Sequence, residues 1–152
     1  MKLAGARMIY VLGIGNKDRG DDGAGIVVAE VLRKTFPSYS FSEHDGLEGV
    51  VLDISEKDED AFIVFVDAAD LGEEPGSIKL VKADDISATE ITTHRVTVAL
   101  LAALLERSGK RSAVICIQPG QIEFQAEMTD SVRASVNSVA EALRCLMASR
   151  AP

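Results

Sequence analysis

Cysteine is scarce: only Cys116 and Cys145 occur in the 152 residues, and no metal-ligand or redox-motif spacing links them. Cys116 lies in the apolar run AVICI and Cys145 in a helical pattern, so both read as reduced core thiols of a cytosolic protein. A chain of this length buries a core without disulfides or a structural metal. No apolar run approaches the ~18 residues that span a bilayer, and no membrane association is expected. Clustered basic charge is also missing. With 16 Lys and Arg against 24 Asp and Glu, the formal net charge is −8, which argues against a phosphate-binding surface and hence a nucleic-acid partner. The sequence contains no HExxH, GxSxG or CxxC motif, which removes standard zincin, serine-hydrolase and dithiol chemistry. Internal repeats, low-complexity tracts and domain linkers are absent as well, so residues 1–152 are expected to form one domain.

What remains is an alternation of buried strands and amphipathic helices. Residues 8–14 (MIYVLGI), 61–67 (AFIVFVD) and 112–118 (SAVICIQ) are continuous apolar runs, the mark of strands covered on both faces. The first run passes into Gly13, Gly15, Asn16 and a charged loop without a small-residue cleavage site. It reads as a first strand rather than a leader, and the chain is expected in the cytoplasm. Helices are predicted over 24–36 (apolar Ala24, Val28, Val31 and Leu32, with Asp21 or Asp22 as N-cap), over 95–107, and over a C-terminal stretch. In that last helix Val132, Val136, Val139, Leu143 and Leu146 repeat at spacings of four and three, after Thr129 and Asp130 as candidate caps. A short strand at 39–44, a short helix at 47–56 and an edge strand at 77–82 complete the pattern. The fold class is α/β: a three-layer α/β/α sandwich around a mostly parallel, twisted sheet of about five strands.

In such sheets, ligands bind beyond the carboxyl ends of the strands. Three segments there carry a potential metal ligand: Asp22 after the first strand, Asp67 at the end of the second buried one, and His94 ahead of the long helix. Two carboxylates and an imidazole form a partial coordination set for a first-row metal such as nickel or zinc, with open positions for a partner's ligands or for water. Each residue also has a plainer reading. Asp21 and Asp22 can cap a helix, Asp67 can be an ordinary strand-end carboxylate, and His94 can be a cap. The second histidine, His44, reads as a non-ligand. Gly13-x-Gly15 is reminiscent of a dinucleotide loop, but position 18 is Asp, and Asp18, Asp21 and Asp22 would put negative charge where a pyrophosphate sits.

The ordered set of motifs resembles the hydrogenase maturation proteases over nearly the whole chain. Gly13-Ile14-Gly15-Asn16 with Gly20-Asp21-Asp22-Gly23-Ala24-Gly25 is similar to that family's first signature. Asp45-Gly46, Val66-Asp67-Ala68, Thr92-Thr93-His94 and Ile117-Gln118-Pro119 resemble its later ones. The Thr-Thr-His wording and the GDDGAG loop look closest to the branch serving hydrogen-evolving, formate hydrogenlyase-type hydrogenases. The resemblance implies an endopeptidase that removes the C-terminal extension of a [NiFe]-hydrogenase large-subunit precursor after nickel insertion. Asp22, Asp67 and His94 match the nickel-contacting positions and are the candidate catalytic residues. Nickel would arrive in the substrate and need not be bound in the free enzyme, which is expected to be a monomer. The charged Lys17-Asp18-Arg19 departs from the usual hydrophobic stretch after Gly-x-Gly-Asn. Two alternatives stand beside this reading. One is a non-proteolytic nickel chaperone or precursor holdase using the same residues. The other is a peptidyl-tRNA hydrolase, which shares a Gly-x-Gly-Asn segment but needs the basic surface this chain lacks.

Overall fold

The computed structural model of the chain describes residues 8–57, 59–82 and 93–150, the side chains of 93–96 excepted. The strands are β1 (Met8–Gly13), β2 (Ser40–Ser42), β3 (Ala61–Ala68), β4 (Ile78–Lys82) and β5 (Arg111–Ile117). They form one sheet in the order β2-β1-β3-β5-β4, parallel throughout except for β4, which runs antiparallel along β5 at the edge. The helices are α1 (Ala24–Arg33), α2 (Leu47–Glu56), α3 (Thr93–Arg107) and α4 (Asp130–Arg150). α1 and α4 cover one face of the sheet, α2 and α3 the other. This is the three-layer architecture expected from the alternation of runs.

The two-residue period of the strands divides the core. Ile9, Val11, Phe62, Val64 and Val66 face α1 and α4, while Tyr10, Leu12, Ile63 and Phe65 face α2 and α3. Both faces are buried, so β1 and β3 show no polar alternation in sequence. Each fully covered aliphatic side chain contributes about 1.5–3 kcal/mol relative to exposure. Among the described residues, no helix is long and apolar enough to cross a membrane.

Several local expectations are corrected. α1 stops at Arg33 rather than 36, and Val31 is 42% exposed; the buried stripe is Ala24, Val28, Ala29 and Leu32, with Ile26. The N-cap of α1 is Gly23, because Asp21 and Asp22 lie inside a 3-10 segment, Lys17–Gly23, that precedes the helix. Cys116 is buried as expected, but Cys145 is exposed. It falls between the core positions Leu143 and Met147 of α4, on the solvent side of the stripe. Leu146 is only partly buried, and Met147 fills the deeper position.

At the amino edge of the sheet the buried Lys110 ammonium donates to the carbonyls of Lys57 (2.6 Å) and Glu59 (2.8 Å). Beside it, the Tyr10 hydroxyl donates to Glu59. Burial and then this carboxylate push the Tyr10 phenol well above its ordinary value near 10. The unfolded chain loses that proton near pH 10 while the native chain keeps it. The native state then binds more protons, and stability falls as pH rises past about 10. Urea midpoints at pH 8 and pH 10.5 are expected to differ more for the parent chain than for Tyr10→Phe; equal declines would refute the assignment.

Candidate active site

The connections after β1 and β2 put the N-termini of α1 and α2 at the carboxyl edge of the sheet. α3, which ends at Arg107 just before β5 starts at the amino edge, runs with its first turn directed to the carboxyl edge. The strand order reverses between β1 and β3, because β1 leads outward to β2 while β2 leads back across to β3. This switch point is where ligand crevices open in such sheets.

Two glycines let the 3-10 segment and α1 settle directly onto this point. A Cβ on Gly25 would lie 2.0 Å from the Val66 carbonyl oxygen and 2.4 Å from that of Ile14. Any side chain there would lift α1 off the ends of β1 and β3. Gly15, at φ +142°, would carry its Cβ 2.0 Å from the Asp22 carbonyl oxygen. Asp22 is therefore held against the end of β1, and Val66, the neighbour of Asp67, sits against the first turn of α1.

The two aspartates of the Asp-Asp pair have different surroundings. Asp21 is fully buried. Its carboxylate accepts from the amides of Gly120 (2.8 Å), Gln121 (2.9 Å) and Thr129 (2.7 Å) and from the Thr129 hydroxyl (2.9 and 3.1 Å). Thr129, expected as a cap of α4, turns its hydroxyl to this carboxylate. Asp22 is half-buried, and its Oδ2 accepts from the Asn16 amide at 3.1 Å. The first aspartate is structural and the second is left with open acceptor capacity.

Asp67 belongs to β3 itself, 5% exposed and in register with Cys116 of β5. By alternation it shares the α2/α3 face with Phe65. α3 lies on that same face and begins at this edge with Thr93. His94 stands in its first turn rather than in a loop before it; its side chain, like the whole of Thr92, lies outside the described residues. Asp22 and Asp67 thus reach one edge of the sheet from neighbouring strands, and the turn bearing His94 starts at that edge. Among the described residues no group of three His, Cys, Asp or Glu is gathered to hold a metal ion.

Two residues escaped the sequence reading. Glu43, exposed at the end of β2, turns Oε1 to the Gly15 amide at 3.3 Å, adding a carboxylate beside the Asp22 loop. Only the adjacency of β2 and β1 reveals it. Gln118 stands in the Ile117-Gln118-Pro119 motif, whose wording reveals no role for it. It is 7% exposed and braces the chain after β3: its oxygen accepts from the Leu71 and Glu73 amides, and its Nε2 donates to Asp70 (3.3 Å) and the Pro119 carbonyl (3.1 Å). His44 is exposed in the 3-10 turn Glu43–Asp45, away from any ligand cluster among the described residues. Asp45 accepts from Arg33 (2.7 and 2.8 Å) and from the Ser42 amide (2.9 Å). Partial burial opposes its ionisation, but these hydrogen bonds and the Arg33 charge outweigh it and hold the carboxyl below its ordinary range. Asp45-Gly46 is therefore a capping device.

The family profile of HycI, described as hydrogenase maturation protease, matches residues 48–144, a span that holds Asp67 and His94 and starts after Asp22. The hydrogenase expression/formation protein HoxM of Azotobacter vinelandii is 32% identical over 138 residues, covering 84% of this chain and 66% of that protein. The chain thus spans about two thirds of the length of this longer relative. The hydrogenase 3 maturation protease of Escherichia coli K12 is 31% identical over 136 residues, covering 88% of this chain and 86% of that one. The crystal structure of the [NiFe] hydrogenase maturation protease HycI from Thermococcus kodakarensis KOD1 superposes with a TM-score of 0.75 at 25% identity, over 95% of this chain and 94% of that chain. Profile, sequence and fold agree on one set of peptide hydrolases, and the chain belongs to the hydrogenase maturation protease family.

Proposed function

We propose that this chain removes the C-terminal extension from a [NiFe]-hydrogenase large-subunit precursor once nickel is in place, working as a monomer in the cytoplasm. The observation that supports it best is the delivery of Asp22 and Asp67 to the switch point, at the edge where the turn bearing His94 begins. The nickel belongs to the substrate. Two carboxylates and a neutral imidazole suit a first-row ion and leave coordination positions for the precursor's own ligands. Precursor without nickel lacks the contact that docks it, so the cut follows metal insertion. Binding at the metal positions the scissile bond near the carboxylates.

Hydrolysis needs a base for the attacking water and a proton for the leaving amide nitrogen. Asp22, half-exposed, takes the water's proton as the new C–O bond forms; the proton passes to the nitrogen as the C–N bond breaks. Asp67, nearly enclosed, serves as the fixed anchor of the pair. The Thr-Thr-His and GDDGAG motifs support the branch that serves hydrogen-evolving enzymes.

The test uses nickel-loaded and nickel-free precursor followed by intact mass. A C-terminal peptide is expected to leave only the nickel-loaded form. Retained binding without any cut, in precursor known to be competent, would replace this reading with that of a holdase.

A further inference from the structure

Between β5 and α4 the chain runs through residues 118–129 without helix or strand. Loops of about this length without secondary structure are uncommon in small domains and are most often functional. This one leaves the carboxyl end of β5 and is fastened to the segment that carries Asp22. Asp21 gathers three of its amides, the Asp21 amide donates to the Gln121 carbonyl at 2.8 Å, and the Gln125 amide donates to the Asp18 carbonyl at 2.6 Å. Gln125 stands at φ 63°, a left-handed conformation that a non-glycine residue keeps only where its surroundings hold it.

The side chains contradict what so ordered a backbone suggests. Ile122 is 48% and Phe124 65% exposed, and Phe124 directly precedes the left-handed residue. Val31, Leu52 and Leu100 are also exposed, but singly on helices, which is ordinary for a protein surface, and Ile78 and Leu80 are exposed on the edge strand β4, which carries neither Asp22 nor Asp67. Two large apolar side chains within three residues, on a locked loop at the edge of the site, are not. On the other flank of the loop, Ala126 and Met128 line a cleft of about 340 Å³ together with Lys17, Gly20, Gly23 and Val27.

We infer that Phe124 and Ile122 dock the large-subunit precursor on this loop, a reading that rests on the function proposed above. The occupant follows from continuity: the loop backbone is bonded to Asp18 and Asp21 of the same 3-10 segment that carries Asp22, so a protein whose chain enters that site also lies against the loop tip. A rigid loop loses little freedom on binding, and aromatic side chains on such supports concentrate interface energy. Phe124 and Ile122 touch the body of the precursor and take no part in the bond cleavage.

Steady-state cleavage of nickel-loaded precursor by the Phe124→Ser, Ile122→Ser double variant is expected to show kcat/KM at least about tenfold down through KM, with kcat within about twofold. Melting temperature should not change, since the side chains removed are exposed. Leu52→Ser, which deletes an exposed apolar residue on α2, should leave both constants as they are. A double variant with unaltered kcat/KM, a loss carried by kcat, or an equal loss in Leu52→Ser would each overturn the inference while the function stands. Should the parent chain leave nickel-loaded precursor uncut, the proposed function falls. The dissociation constant for precursor then decides the docking role by the same tenfold criterion.

Discussion

Asp22→Ala is expected to lower processing of nickel-loaded precursor by at least about 100-fold, the scale for losing a positioned acid–base group, with the fold intact. The carboxylate is half-buried and accepts from the Asn16 amide at 3.1 Å. That amide also donates to the Asp22 carbonyl oxygen at 3.2 Å, a bond that truncation of the side chain leaves in place. The loss in stability should therefore stay near about 1 kcal/mol, that of an ordinary hydrogen bond. His94→Ala should behave alike if His94 serves the same site. The decisive pair of measurements is the cleavage rate and the urea unfolding midpoint for each variant. Unfolding of Asp22→Ala, or cleavage at the parent rate, would remove Asp22 from the machinery.

The residue next to it should give the opposite result. Asp21→Ala is expected to destabilise the chain by about 3–5 kcal/mol, the range for breaking a buried charged network. Three amide donors and the Thr129 hydroxyl converge on this one fully buried carboxylate. Without it these partly buried donors lose their shared acceptor. The carboxylate also lies at the N-terminus of α4, where the helix dipole favours negative charge. Against a typical total of about 5–15 kcal/mol, such a loss brings the native state close to unfolding at 37 °C. Asp21→Asn should be costly too, because its NH2 group would face donors on at least one side. Thermal unfolding by circular dichroism checks this. A shift of less than a few degrees would show that the loop holds itself without Asp21. A partial loss of activity in Asp21→Asn should track the unfolded fraction, unlike that of Asp22→Ala, which should persist in fully folded protein.

The contrast within one dipeptide marks the boundary between sequence and tertiary structure. Sequence determined the layers. Apolar runs at β1, β3 and β5 lie within about a residue of the observed strands, because a strand covered on both faces needs side chains of one character throughout. Spacings of three and four located α4, because only one stripe of a helix meets the sheet. The same logic placed Asp22, Asp67 and His94 near strand or helix ends at the carboxyl edge. It could not say which of Asp21 and Asp22 turns inward, because that depends on residues 120–129, about 100 positions away. Nor could it find Glu43, whose nearness to Gly15 exists only because β2 pairs with β1. Cys145 and Val31 were misassigned for a related reason: both are apolar enough for a core stripe, and only the position of the sheet decides which face of the helix is inside. Local composition specifies which elements form and how their buried faces alternate, since those follow from short-range periodicity. The partners of an individual carboxylate follow from long-range contacts, and only the folded chain decides them.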